Sequence, residues 1–313
     1  MQNDFLLIRS YGSENALARV QSDPLIAGLG DLNQSVKKLI YTPGAAITIE
    51  QPKYLLVSYD DTDALLNAQE IKKQMGCKII CLGSDIYNLD RYVAIAEIAD
   101  LFVMPTLLHK EILQSAVWVN VIVVPESIDS IALPEGQSKL PVRRTNQICW
   151  FGYPESFNKA FKYIFNKALD LSRIPKSQFG FITSTNVIEG ITHIPFHEKT
   201  FYEVTQNYSY TLLSHFVFDS HINSYAKSPN KLITSLVRGV IPLVSKTKHY
   251  EEIMSYYNLE SLMYANGHEL VELLRNLDAG RDHGSFDIEA ISNDLQTRYS
   301  PRNNAQILLN EIG

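Results

Sequence analysis

The sequence has few cysteines, no excess of basic charge and no long apolar run. It contains three cysteines in 313 residues. Cys77 and Cys81 fall in one predicted strand, too far apart along an extended backbone to form a disulfide with each other. This favours a reducing compartment. The formal net charge of -6 argues against a nucleic-acid partner, because a chain that is negative overall does not attract a polyanion.

No segment reaches the length of a membrane span, and the first residues lack the basic start and apolar stretch of a signal peptide. We therefore expect a cytoplasmic protein, and peripheral contact with the inner face of a membrane is compatible with this. Hydrophobic residues make up 45% and charged residues 20% of the chain, which is ordinary globular composition. The chain is long enough for two domains, each with its own core.

The first half alternates short apolar runs with amphipathic stretches, a pattern typical of parallel strands joined by crossover helices. The strand candidates are Phe5 to Arg9, Tyr54 to Ser58, Lys78 to Leu82, Leu101 to Met104 and Val119 to Val124. Between two of them, Asp63 to Met75 has helical apolar spacing and is followed by Gly76, a natural C-terminal stop. This half is predicted to be an open α/β sheet.

Periodicity lapses from Ala132 to Asn146, so we place a domain boundary near residue 140. The same pattern then restarts, with strands at Gln147 to Phe151, Gln178 to Thr183 and Tyr210 to Ser214 and a helix around Asn158 to Leu171. The prediction is an α/β protein with two Rossmann-like doubly wound domains, 1–140 and 141–285, facing each other across a cleft. Residues 286–313 are expected to form terminal helices, interrupted at Ser300-Pro301, that pack back toward the N-terminal domain.

The most informative segment runs from Lys227 to Gly239 and precedes the apolar run Val240 to Val244. We expect Ser228 to be a helix N-cap, Pro229 to occupy the first helical position and Gly239 to end the helix. The buried stripe would be Leu232, Ile233, Leu236 and Val237, with Lys231, Thr234, Ser235 and Arg238 on other sides. A helix N-terminus surrounded by lysines can bind a diphosphate. The alternative is a capped surface helix with solvated lysines.

The run Lys227-Ser228-Pro229-Asn230-Lys231, followed by Gly239 to Val244, resembles the donor-binding segment of GT-B glycosyltransferases of family 4 (group 1). Supporting similarities lie in the strand and glycine loop Ile148 to Gly152 and in Ile194 to His197. The resemblance implies a nucleotide-sugar donor, UDP- or GDP-linked, held by the C-terminal domain, with the acceptor on the N-terminal side. It implies no metal and no other cofactor. The donor-binding residues it implies are Gly152, Tyr153, Asn158, Phe196, His197, Lys227, Ser228, Asn230 and Lys231.

Three positions depart from the family pattern. Many retaining members carry two glutamates around the donor helix, where this chain has Ala226 and Thr234, and Tyr153 stands where a basic residue often follows the glycine. The sequence therefore leaves both a retaining and an inverting outcome open.

An inverting transferase needs a group that accepts the proton of the acceptor. The first candidates follow the carboxyl end of a predicted strand and are Asp60, Asp61 and Asp63, and Glu14 is the second choice. His109 is a candidate to approach the sugar. The alternative role of each carboxylate is a turn or helix cap, and that of His109 is a solvated or simply hydrogen-bonded side chain.

A metal site and a dinucleotide-binding loop have less support in the sequence than the donor site. His193 with His197, or His215 with His221 and Asp219, lack a recognised metal-ligand spacing. The run Gly28-Leu29-Gly30 follows a predicted helix and lacks the third glycine of a dinucleotide loop, so a dehydrogenase is rejected.

The function predicted from the sequence is a glycosyltransferase acting on an unidentified glycan, lipid-linked or protein acceptor, in the synthesis of a surface polysaccharide or another glycoconjugate. A nucleotide-sugar epimerase and a non-catalytic GT-B-like binding protein are the alternatives. An epimerase needs paired acids around the sugar, which the donor segment lacks. The absent glutamates leave a non-catalytic binder open.

Overall fold

The computed structural model describes residues 4–40, 51–131, 147–157, 159–214, 225–279 and 286–313. The chain divides into two compact units. Residues 1–129 and 297–313 form what we call the N-terminal unit, and residues 130–296 form the C-terminal unit. The predicted boundary at residue 140 lies outside the described residues.

Every strand is short, and nearly every helix follows a strand directly. The strands are β1 (Phe5–Arg9), β2 (Val36–Ile40), β3 (Tyr54–Ser58), β4 (Lys78–Leu82), β5 (Leu101–Met104), β6 (Asn120–Val123), β7 (Ile148–Phe151), β8 (Phe179–Thr183), β9 (Thr192–Pro195), β10 (Tyr210–Leu213), β11 (Ile241–Ser245) and β12 (Met263–Tyr264). The α-helices are α1 (Asp23–Asp31), α2 (Thr62–Met75), α3 (Leu89–Ala96), α4 (Leu107–Gln114), α5 (Lys159–Ser172), α6 (Glu198–Thr205), α7 (Asn230–Val237), α8 (Lys248–Tyr256), α9 (Gly267–Asp278), α10 (Ile288–Arg298) and α11 (Pro301–Ile312). This alternation confirms the predicted α/β class.

The N-terminal unit contains a six-stranded parallel sheet with the order β2-β1-β3-β4-β5-β6. Its inner strands are buried on both faces, as expected of a parallel sheet covered by helices. One core cluster lies between the sheet and α2, α3 and α4, and a second lies between the sheet and α1 and α11. The C-terminal helix is therefore part of the N-terminal unit.

Helix α1 and helix α11 approach each other closely at Gly28. A Cβ built on Gly28 would overlap the carbonyl group of Pro301 and lie 2.9 Å from the amide nitrogen of Arg302. Around this contact, Leu25 and Leu29 pack into the same buried cluster as residues of α11. Gly28 thus serves helix packing rather than a dinucleotide loop.

The C-terminal unit contains a second six-stranded parallel sheet, with the order β12-β11-β10-β7-β8-β9. The chain moves outward from β7 through β8 and β9 on one side and through β10, β11 and β12 on the other. This is the strand order of the Rossmann fold, and its direction reverses between β7 and β10.

A buried arginine ties α7 to α6 in this unit. Arg238 is fully buried, donates to the Tyr202 carbonyl at 2.7 Å and stacks its guanidinium 3.5 Å from the centroid of the Tyr202 ring. Burial lowers the pKa of Arg238, and its interactions with Tyr202 act in the opposite direction. The sequence had placed Arg238 outside the buried stripe of its helix. In the structure it is buried as well, because its side chain packs against Tyr202 and Thr205 of α6.

Most predicted elements are confirmed. The structure reproduces the bounds of β1, β3, β4 and β5. It shortens β7, β8 and β10 by one residue at one end and β6 by one residue at each end. The terminal residues form two helices that break before Pro301. Strand β2 had not been predicted, because its two exposed lysines interrupt the apolar pattern at the edge of the sheet. Among the described residues, no helix combines the length and the apolar character that crossing a membrane requires.

Candidate functional site

The site begins at the N-terminus of α7, which follows β10 and precedes β11. The helix starts at Asn230, with Pro229 as its N-cap. The Pro229 carbonyl accepts the first intrahelical bond, from Ile233 N at 3.0 Å. The sequence had placed Ser228 at the N-cap and Pro229 in the first turn, so both assignments move by one residue. Proline suits either position, since it has no N–H group to satisfy there.

Helix α7 is buried on more sides than its apolar stripe suggested. Thr234 and Ser235 are buried together with the predicted leucine and valine positions, while Asn230 and Lys231 in the first turn stay half-buried. Thr234 donates to the Asn230 side chain at 3.4 Å, and Ser235 donates to the Lys231 carbonyl at 2.8 Å. The polar side chains of α7 that reach solvent therefore lie in its first turn, at the positive end of the helix dipole.

Lys231 brings its ammonium group to the glycine that follows β7. A Cβ built on Gly152 would lie 2.6 Å from Lys231 Nζ, so any side chain larger than hydrogen would displace the lysine. Gly152 also has a φ of +156°, which L side chains rarely adopt. Lys231 Nζ lies 5.7 Å from the ring centroid of Trp150, within the range of a cation–π contact. Two segments that are distant in the sequence thus meet at one point.

This meeting point follows from the strand order. Gly152 comes directly after β7, and Ser214 comes directly after β10, the two strands between which the direction of the chain reverses. Trp150 Nε1 donates to Ser214 Oγ at 3.4 Å and joins these two strand ends. Open α/β sheets bind ligands outside the carboxyl ends of their strands at this reversal. The C-terminal unit therefore places a cation where its fold class binds ligands.

The loop after Gly152 adds an exposed aromatic side chain. Tyr153 is 67% exposed, and a short 3-10 turn, Pro154–Ser156, follows it. Phe157 anchors the end of this turn by packing edge-on against Trp150, with 5.1 Å between ring centroids. The predicted donor residue Asn158 lies outside the described residues.

Phe196 and His197 lie at the same edge of the C-terminal sheet, just after β9. Phe196 N donates to the Thr183 carbonyl at the end of β8, at 3.2 Å, and its ring packs 5.8 Å from Phe201. His197 is exposed and precedes α6. Both residues follow the carboxyl end of β9, which pairs with β8, and β8 in turn pairs with β7. They therefore lie at the same edge of the sheet as Gly152, two strands away from it.

The other predicted donor residues, Lys227 and Ser228, are half-buried in the segment that leads into α7. Ala226, at the position of the first family glutamate, is fully buried, and so is Thr234 at the position of the second. An acid at position 226 would have to enter a closed interior. The residues described at the start of α7 therefore supply cations and amides, and neither glutamate position supplies a carboxylate.

The candidate acids of the N-terminal unit have structural partners. Asp61 is 4% exposed and caps α2 by accepting from Ala64 N at 3.0 Å. It also accepts from Ser10 N at 2.6 Å and Ser10 Oγ at 3.0 Å, which ties the end of β1 to the start of α2. Asp60 is exposed and accepts from Ser58 Oγ at 2.7 Å. As catalytic groups, both remain predictions.

Glu14 and His109 lie in different surroundings. Glu14 is exposed and accepts from Gly12 N at 3.2 Å. His109 is fully buried on α4, where its Nδ1 lies 2.9 Å from Oγ1 of Thr106, the N-cap of that helix. The structure therefore gives His109 a position in the protein interior, which sequence spacing alone could not reveal.

A charged cluster at the end of β1 was missed by the sequence analysis. Arg9 is fully buried, forms an ion pair with Asp23 at 3.0 Å and donates to Ser22 and Ser13 at 3.3 and 3.0 Å. Lys38 contacts the same Asp23 oxygen at 2.7 Å. Burial acts to raise the pKa of Asp23, but the hydrogen bonds from Lys38 and Ser13 and the charge of Arg9 lower it overall. The feature of the sequence that could have revealed this cluster is an arginine at the end of an apolar strand.

The described residues contain no group of three or more His, Cys, Asp or Glu side chains that could hold a metal ion. His193, one of the metal candidates, uses Nε2 to donate to the Thr183 carbonyl at 3.0 Å. The alternative set, His215, His221 and Asp219, lies outside the described residues.

Several solved structures that are similar to this chain are GT-B glycosyltransferases. HepE from Anabaena, in complex with UDP and glucose, superposes with a TM-score of 0.66 at 9% identity, covering 98% of both chains. The DNA-modifying enzyme β-glucosyltransferase, studied with and without uridine diphosphoglucose, gives 0.64 at 12% identity over 98% of both chains. The lipopolysaccharide outer core galactosyltransferase WaaB, in its apo form, gives 0.61 at 12% identity over 100% of this chain and 99% of that one. The predicted GT-B fold is confirmed.

No protein-family model matches the chain, and a search of curated protein sequences also gave no match.

Proposed function

We propose that this protein is a glycosyltransferase that binds a nucleoside-diphosphate sugar at the carboxyl edge of its C-terminal sheet and transfers the sugar to an acceptor. The observation that carries the proposal is the position of Lys231 Nζ beside Gly152, at the reversal point between β7 and β10. The structural neighbours support a uridine nucleotide, since HepE is bound to UDP and glucose and β-glucosyltransferase uses uridine diphosphoglucose. A GDP-sugar is the second choice of donor.

The chemistry of the site suits a diphosphate leaving group. As the bond between the sugar and the diphosphate breaks, negative charge grows on the phosphate oxygens. Lys231, the nearby Lys227 and the amides at the start of α7 would stabilise that charge. A side chain at position 152 would occupy the space of the Lys231 ammonium. Because glycine has no side chain, both the ammonium and a phosphate can come close to the backbone there.

The segment from Lys227 to Lys231 supports a finer assignment to a family-4-like enzyme, in which Gly152, Tyr153, Asn158, Phe196, His197, Ser228 and Asn230 complete the donor site. Ala226 and Thr234 replace the two family glutamates, so contacts with the sugar must come from other residues. We further propose a metal-independent reaction in the cytoplasm that serves the synthesis of a surface polysaccharide or another glycoconjugate. The WaaB likeness supports this choice of acceptor class.

Nucleotide binding and its dependence on Lys231 test the proposal. A nucleoside diphosphate that binds only the folded protein raises the melting temperature. We expect UDP, or failing that GDP, to raise it, and Lys231→Ala to weaken the affinity about tenfold to a hundredfold, as expected for loss of a charge-assisted phosphate contact. Lys227→Ala should weaken it in the same direction.

Lys37→Ala is the matched control, because Lys37 is an exposed lysine on strand β2 of the N-terminal unit. Lys38 is less suitable, since it contacts Asp23. Equal affinities for UDP in Lys231→Ala and Lys37→Ala would contradict the site.

Turnover separates the three candidate functions. A transferase releases nucleoside diphosphate from the donor in an acceptor-dependent way. An epimerase converts the donor alone into an isomer. A non-catalytic binder, which the buried Ala226 favours, gives nucleotide affinity without either product.

A further inference from the structure

We infer that Trp150 is a positioning residue that holds the Lys231 ammonium at the phosphate site through the face of its indole ring. The inference rests on the proposed function and assigns a role to a buried aromatic residue that does not itself touch the donor. It concerns how a flexible lysine is kept ready for the diphosphate.

The ring of Trp150 is fixed on several sides. It is 2% exposed, with Phe157 edge-on at 5.1 Å and Phe181 tilted at 5.6 Å between ring centroids. Its Nε1 donates to Ser214 Oγ at 3.4 Å. A ring held by packing and by one directional hydrogen bond keeps a single orientation.

The remaining side of the ring meets the lysine. Lys231 Nζ lies 5.7 Å from the ring centroid. A Cβ built on Gly152 would lie 3.2 Å from Cη2 and 3.3 Å from Cζ2 of the Trp150 ring, and 2.6 Å from Nζ. The glycine, the ring and the ammonium are therefore packed against one another, and the small size of Gly152 leaves the space that the ammonium uses.

An aromatic face is well suited to this task. A lysine side chain has several rotatable bonds and loses conformational entropy when a ligand orders it. The ring attracts the ammonium through its quadrupole without transferring or neutralising its positive charge. Preorganised in this way, the lysine binds a diphosphate at a lower entropic cost.

A double-mutant cycle on UDP affinity tests the inference. Trp150→Leu removes the aromatic face and should weaken UDP binding about three- to tenfold, the size of a half-buried cation–π contact. Trp150→Phe keeps an aromatic face and should recover most of that loss. In the Lys231→Ala background neither substitution should weaken binding further, because the residue through which Trp150 acts is gone.

Phe165→Leu is the matched control. Phe165 lies on helix α5 and is a fully buried ring of the same aromatic cluster, with its centroid 5.6 Å from that of Phe181. It should lower stability as Trp150→Leu does and leave UDP affinity unchanged. A loss of affinity in Phe165→Leu equal to that in Trp150→Leu would overturn the inference, since the effect would then come from general loosening of the core.

The other outcomes are also distinct. If Trp150→Leu weakens UDP binding by the same factor with and without Lys231, the positioning role is wrong while the proposed function stands. If Lys231→Ala leaves UDP affinity unchanged, the proposed function itself fails and this inference fails with it. Should Trp150→Leu not fold, Ser214→Ala removes only the hydrogen bond to the ring. The same cycle with Lys231→Ala then gives the answer, and additive effects overturn the inference.

Discussion

Replacing Gly28 by alanine is expected to destabilise the N-terminal unit, whereas the same change two residues later is expected to stabilise it. Both glycines lie in α1. A Cβ at Gly28 would overlap the carbonyl group of Pro301 at the start of α11. A Cβ at Gly30 would meet no atom of the described residues within 4 Å apart from its chain neighbours and its own helix backbone. The two substitutions are chemically identical, so they differ only in the surroundings of the added methyl group.

The magnitude follows from two opposing terms. In a helix interior, alanine is favoured over glycine by about 0.5–1 kcal/mol, and this gain applies to both positions. Overpacking at Gly28 costs about 1–3 kcal/mol, because the atoms it meets belong to the backbone of α11 and cannot move as a flexible side chain would. The propensity gain cancels in the difference between the variants. Gly28→Ala should therefore be less stable than Gly30→Ala by about 1–3 kcal/mol.

Urea denaturation followed by circular dichroism measures this difference directly. In a thermal scan it corresponds to about 3–9 °C between the two variants for a unit of this size. Equal stabilities would refute the close approach of α1 and α11. A Gly30→Ala variant that is less stable than the wild type would refute the propensity term on which the comparison depends.

Two further predictions concern aspartates of the N-terminal unit. Asp61→Ala should lower the free energy of unfolding by about 1–2 kcal/mol through loss of the α2 cap, while the exposed Asp60→Ala should change it by less than about 0.5 kcal/mol; similar urea midpoints for both variants would contradict the capping role. The pKa of Asp23 is lowered from its usual value of 3.8 in the folded state, so its contribution to stability is present above the unfolded pKa and is lost as the pH falls through the folded pKa. The stability difference between the wild type and Asp23→Asn, measured by urea denaturation as a function of pH, should therefore shrink as the pH falls below about 4; a difference that stays constant down to acid pH would argue against this ion pair.

Much of the fold could be predicted from local pattern. Strands such as β3 and β4 are continuous apolar runs that are buried on both faces, and their bounds follow from where the polar residues begin. Helix α2 ends where Gly76 adopts a left-handed φ of 70°, as its position after an amphipathic run predicts. Strand β2 could not be found in this way. Among the described strands it pairs with β1 alone, at the edge of the sheet, and it carries two exposed lysines.

The candidate site was predicted in part. The lysines before and within α7 and the glycine after β7 stand out in the sequence, because helix ends and glycine loops have local signatures. The burial of His109 and the hydrogen bonds from Ser10 to Asp61 have no such signature. Both depend on which residues of neighbouring elements lie opposite, and that information is not local.

The sequence by itself determined that this protein is built from parallel strands and covering helices, and that a positively charged helix start follows one strand of its second half. Only the tertiary structure decided that the Lys231 ammonium meets Gly152 and the ring of Trp150. The physical reason is the strand order, since β10 pairs directly with β7 although more than fifty residues separate them. A periodic pattern specifies which face of an element is buried, but it does not specify which other element covers that face.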